Sequence, residues 1–129
     1  MQRAEPLGND TFSVQTQQTA RKWLEVCRQT HPDCQGRADK GFVPTRLLDV
    51  SHEDRFFLVE CKTTHIEEPY TTLSYCWGPP LFVTLSWANR KEFMYEGLPM
   101  ESLPRTIREG VLVTRALGLR YIWVDSLCT

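Results

Sequence analysis

The stretch that most constrains this chain runs from Gly118 to Cys128, Gly-Leu-Arg-Tyr-Ile-Trp-Val-Asp-Ser-Leu-Cys. Side chains alternate sides along a strand, so Tyr121, Ile122, Trp123 and Val124 put apolar surface on both of its faces. Such a run belongs between two layers, and its break at Asp125 presents polar groups at the carboxyl end. The rest of the chain is placed relative to that strand.

The helix before it is the most clearly marked. Pro104 suits a first turn, and Thr106 followed by Glu109 has capping-box spacing. Ile107, Val111, Thr114 and Leu117 line one face, Val113 widens it, and Gly118 stops it. Upstream, Thr71 to Tyr75 is β-prone and ends at Cys76-Trp77-Gly78-Pro79-Pro80. Strand 71–75, helix 104–117 and strand 120–124 predict a β-α-β unit in an α/β fold with a partly parallel sheet and a right-handed crossover.

Parallel strands end on the same sheet edge, where open α/β sheets bind ligands. Ser74, Tyr75, Cys76, Trp77 and Gly78 are therefore expected to meet Asp125, Ser126 and Cys128. Tyr75, Asp125 and Ser126 are the candidate catalytic residues, and Ser74, Tyr75, Trp77, Gly78 and Asp125 the candidate ligand-binding ones. A carboxylate can orient a ribose hydroxyl or move a proton, a hydroxyl or thiol can attack, and an indole can stack on a base. Each has a structural alternative. Asp125 can cap a following helix, Trp77 and Trp123 can fill the core, and Cys76 and Cys128 can act as small hydrophobes. No Ser-His-Asp set, glycine-rich phosphate loop or paired-carboxylate arrangement is visible.

Residues 1–17 are polar and aperiodic and read as a disordered tail, with the folded domain over 18–129. From Thr19 to about Gln29, Ala20, Trp23, Leu24 and Cys27 share one helical face. Cys27, His31 and Cys34 could begin a metal site, completed by Cys61 and His65, but the spacing fits no common zinc finger. The preferred reading is no metal, with Cys27 packed on the helix face and His31-Pro32 ending the helix. Residues 44–50 and 55–61 bracket the polar turn 51–54 as an antiparallel hairpin, with Phe56 and Phe57 on opposite faces. Residues 81–85 can form an edge strand, and Asn89 can cap a helix over 90–96 that Gly97 ends.

Composition excludes some partners. A formal net charge of −1 over 129 residues lacks the basic excess of nucleic-acid binding. No window reaches the roughly 18 apolar residues of a membrane span. Five cysteines, an odd number, and an N-terminus without a signal-peptide core imply a reduced, cytoplasmic setting.

Three blocks of this chain resemble the HET (heterokaryon incompatibility) family of filamentous fungi: Tyr70-Thr-Thr-Leu-Ser-Tyr-Cys-Trp-Gly78, Leu103-Pro-Arg-Thr-Ile-Arg-Glu-Gly110, and Gly118 through Cys128. The upstream Trp-Leu…Cys…His…Cys segment and Pro-Thr-Arg-Leu-Leu-Asp-Val also look like the family's N-terminal part, so the resemblance spans about residues 20 to 129. Glu109 and Gly110 depart from the family's usual Asp and Ala. The family's pattern continues past Leu-Cys with Ile and Gln-Asp, whereas Thr129 follows here, so the chain reads as a truncated front portion of the domain. The resemblance implies non-self recognition ending in programmed cell death, with protein partners or self-assembly. It also implies a TIR-like outline and, through that, NAD as a substrate of a glycohydrolase-like activity rather than a cofactor. An inert fragment is the remaining alternative.

Overall fold

The computed structural model describes residues 10–34, 42–76 and 84–129. Among them is a five-stranded mixed sheet carrying helices. The chain makes α1 (Val14–Thr30), a hairpin of β1 (Arg46–Asp49) and β2 (Arg55–Glu60), a short α2 (Cys61–Thr64) and β3 (Tyr70–Leu73). It continues through α3 (Arg90–Tyr95), β4 (Leu98–Pro99), α4 (Arg105–Ala116), β5 (Tyr121–Val124) and α5 (Asp125–Cys128). The strand order is β3-β5-β1-β2-β4.

The expected parallel pair is present, with Tyr70 beside Tyr121 and Leu73 beside Val124. The hairpin also forms, pairing Arg46 with Glu60 and Asp49 with Phe57. The sequence reading did not anticipate two pairings. β5 lies antiparallel to β1, Leu48 opposite Ile122, and the two-residue β4 pairs antiparallel with β2. Pro99 has no N–H to donate, which suits the outermost strand it occupies.

The alternation of β5 works as its composition demands. Ile122 and Val124 point into the larger core with Leu48, Val50, Phe56, Leu58, Ile107 and Val111. Tyr121 points the other way, into a smaller cluster with Leu47, Cys61 and Ile66, and Trp123 is partly buried against both clusters. α4 covers the first face. Each of its fully buried branched side chains contributes about 1.5–3 kcal/mol. Thr114, also buried, donates from its hydroxyl to the Gly110 carbonyl at 2.9 Å and meets the Thr71 hydroxyl at 2.7 Å, which ties α4 to β3. Gly110 faces the sheet, where an added Cβ would lie 3.3 Å from the Leu73 side chain.

Several local expectations are corrected. α4 spans 105–116 rather than 104–117, and the Thr106–Glu109 capping box does not form because Glu109 instead accepts from Arg105 at 2.9 Å. Val113 is exposed. β3 stops at Leu73, short of Tyr75. Asn89 precedes α3 without capping it; its side chain accepts from the Ser86 amide and donates to the Thr84 carbonyl. Of the proposed strand at 81–85, residues 81–83 lie outside the described residues, and Thr84 and Leu85 are not in a strand. α1 begins at Val14, where the Ser13 hydroxyl accepts from the Thr16 amide at 3.2 Å. It buries no residue fully, and Trp23, expected on its inner face, is 71% exposed.

Arg115 lies in the last turn of α4. Its guanidinium donates to the carbonyls of Val50 at 2.7 Å, Glu53 at 3.1 Å and His52, so α4 holds the β1–β2 turn by its backbone. Nearby, Asp49 is buried. One carboxylate oxygen takes Arg120 Nε at 3.1 Å and Nη2 at 2.7 Å, and the other takes the Ser51 amide and hydroxyl. Burial alone would raise its pKa, but the Arg120 and Ser51 hydrogen bonds outweigh burial and hold it below the usual carboxylate value. A depressed acid contributes stability that is complete above the unfolded-state pKa of about 3.9 and lost as pH falls through the lower folded value. Denaturant unfolding from neutral pH down to about pH 2 is therefore expected to show an acid-side loss that Asp49→Asn reduces; an identical pH profile for the variant would contradict this.

Candidate functional site

The register of β3 and β5 sends both strands off the sheet at one edge, and there Tyr75 and Ser126 meet. Tyr75, half-buried, places its hydroxyl 2.9 Å from Ser126 Oγ. Ser126 is 4% exposed, and its carbonyl accepts from the Leu85 amide at 2.9 Å, so Leu85 is pinned to the same edge. Ser74 is exposed beside them. Trp77 and Gly78 lie outside the described residues.

Asp125 is the first residue of α5 rather than its cap, a position held by Val124. Its carboxylate accepts from the Thr129 hydroxyl at 3.0 Å and, in a helix's first turn, is favourably placed against the helix dipole. It is half-buried and makes no hydrogen bond to Tyr75 or Ser126.

The nucleophile readings divide. Ser126 is bonded to a phenol and, among the described residues, to no histidine, so its hydroxyl has no base to activate it. Cys128 takes the Val124 amide at 3.4 Å, and burial pushes its thiol up to about 12, which keeps it protonated. It behaves as the small buried hydrophobe expected of it. Cys76 is exposed.

Sequence reasoning missed the cations at this edge. Continuing the β1–β5 register from Leu48–Ile122 places Arg46 opposite Val124, at the carboxyl end of β5. Arg46 lines a cavity of about 220 Å³ with Leu85, Ser86, Trp87, Arg90 and Thr129. Arg90 pairs with Glu60 and lies 5.4 Å from the centre of the Trp87 ring. Arg46 Nε is buried without a hydrogen-bond partner among the described residues, a costly state that an acceptor entering the site would relieve. A second groove, about 410 Å³, shares Arg46 and Thr129 and runs over the other sheet face past Tyr70, Thr72, Trp123 and Cys128. No local signal marks Arg46, because its role depends on a strand pairing more than seventy residues away in sequence.

The metal candidates also separate. The ligand atoms of Cys27, His31 and Cys34 lie within 4.8 Å of one another. Cys61 and His65 do not join them: Cys61 is buried in the smaller cluster, where burial raises its thiol pKa, and His65 is exposed at the end of α2.

Against known proteins, residues 70–129 match the family model described as heterokaryon incompatibility protein (HET). The match begins at β3 and takes in α3, α4, β5 and α5, and does not extend over α1 or the hairpin. Neither a curated protein nor a solved structure matches the chain.

Proposed function

From the match of residues 70–129 to the HET family model, we propose that this protein is an effector of fungal non-self recognition whose output is growth arrest and cell death. The observation that carries the reading is that the matched segment coincides with the β3–α4–β5 unit, whose two strand ends are joined by the Tyr75–Ser126 hydrogen bond. The protein acts through protein partners or self-assembly. A formal net charge of −1 gives no general attraction to nucleic acid, and no helix among the described residues is long and apolar enough to cross a membrane. Induced expression of the chain in a filamentous fungus is expected to arrest growth; undiminished growth at a comparable protein level would overturn the reading.

A second reading has its own support. Arg46, Arg90, Trp87 and Ser86 line one cavity together with Thr129, whose hydroxyl bonds Asp125, and these are groups that would hold a nucleotide's phosphates, base and ribose. On this reading the effector consumes NAD, with Asp125 orienting the ribose. Cellular NAD should then fall on induction and recover with Asp125→Ala, whereas constant NAD during arrest would leave the assembly reading alone.

A further inference from the structure

We propose that Cys27, His31 and Cys34 form a binding site for a thiophilic divalent cation of the zinc class, which clips the end of α1 to the turn that follows it. The site is separate from the β3–β5 edge and does not rest on the effector reading.

Local structure builds the three-residue cluster. Cys27 and His31 are four residues apart, so they share a helix face. His31 is the C-cap of α1, extended at φ −94° and ψ 109°, with its amide on the Cys27 carbonyl at 3.1 Å. Pro32 cannot continue the helix hydrogen-bond pattern. A 3-10 turn over Pro32–Cys34 follows, with the Cys34 amide on the His31 carbonyl at 2.9 Å, and this turn brings the Cys34 thiol back toward Cys27.

The distances then decide. A tetrahedral zinc ion with bonds of about 2.3 Å to sulfur and 2.0–2.1 Å to nitrogen holds its ligand atoms roughly 3.5–3.8 Å apart. The observed upper bound of 4.8 Å closes to that range by side-chain rotation, and His31 and Cys34 are exposed and free to make it. Two sulfurs and an imidazole select zinc-like ions over the oxygen-preferring magnesium and calcium. Two thiolates balance the ion's charge, and the carbonyl end of a helix favours a cation. On binding, each thiol gives its proton to solvent and its sulfur lone pair to the metal, while neutral His31 donates a ring-nitrogen lone pair. Water or a partner's side chain takes the fourth position.

The clip supplies what α1 lacks. The helix has no fully buried residue to anchor it, so fastening its last turn restrains an element that packing holds weakly.

The test uses the 129-residue chain, purified without a histidine tag and kept reduced, titrated with zinc against a chromogenic chelator. One ion per chain is expected. Cys34→Ser and His31→Ala, both at exposed positions, should weaken binding by about tenfold or more, since even loss of an outer-shell partner can cost that much. Cys76→Ser should bind as the parent does. Cobalt(II) should give the thiolate charge-transfer absorption of a tetrahedral site, lost in Cys34→Ser. Substoichiometric zinc in the parent, unchanged affinity in Cys34→Ser and His31→Ala, or a Cys27–Cys34 disulfide that persists under reducing conditions would each overturn the proposal.

Discussion

Phe56→Ala is expected to destabilise the protein by about 3–5 kcal/mol, while Phe57→Ala, one residue along the same strand, costs much less. Phe56 is among the largest fully buried side chains and sits in the larger core with Leu58, Phe93 and Ile107. Truncating it forfeits the transfer of an aromatic ring out of water and leaves a cavity that the sheet and α4 cannot close without breaking other contacts. Phe57 points to the opposite side of β2, is only half-buried, and meets the His52 ring edge-on at 4.9 Å. Its loss leaves mostly solvent-accessible space. Against a total stability of about 5–15 kcal/mol, the first substitution consumes a large share and the second does not. Urea unfolding of the two variants measures the contrast, and similar losses would mean that the side assignment along β2 is wrong.

Gly97→Ala should cost about 3 kcal/mol or more, and Gly118→Ala about 1 kcal/mol. Both glycines have left-handed backbone, φ +70° and φ +78°, so any side chain meets conformational strain at either. Their surroundings differ. A Cβ on Gly97 would lie 2.6 Å from the Phe56 carbonyl oxygen and 2.9 Å from the Phe57 ring, so the backbone of β2 would have to move. A Cβ on Gly118 would meet only the far end of the exposed Arg21 side chain at 3.1 Å, which can swing aside. Equal losses in denaturant unfolding would contradict this account of the α3–β4 turn.

These sites show what the sequence made legible. Strand β5 was readable because four large apolar residues in a row have few alternatives to burial on both faces, and α4 because its apolar residues repeat at the helical period. The shared edge followed from those two elements and β3 by topology alone, and the Tyr75–Ser126 hydrogen bond lies where that topology predicted convergence. Features set by distant partners were not legible. β1 lies antiparallel to β5 through contacts across seventy residues, so Arg46 gave no sign of its place beside the cavity. The Thr106–Glu109 spacing was a true capping pattern in sequence, but the helix started at Arg105 and Glu109 paired with that residue instead. Trp23 fitted a helical stripe by period, yet periodicity cannot say whether another element arrives to cover it. Cys27, His31 and Cys34 failed as a finger motif by spacing and came together only because the chain turns at Pro32.

The central claim is that the HET-matched segment builds one polar edge from the ends of two parallel strands. Its most direct test is a double-mutant cycle on Tyr75→Phe and Ser126→Ala, read by urea unfolding of the single and double variants. A coupling of about 1 kcal/mol is predicted, the net contribution of a hydrogen bond between two neutral hydroxyls. Losses that add to within about 0.5 kcal/mol would show that the two hydroxyls do not meet, and would contradict the shared edge.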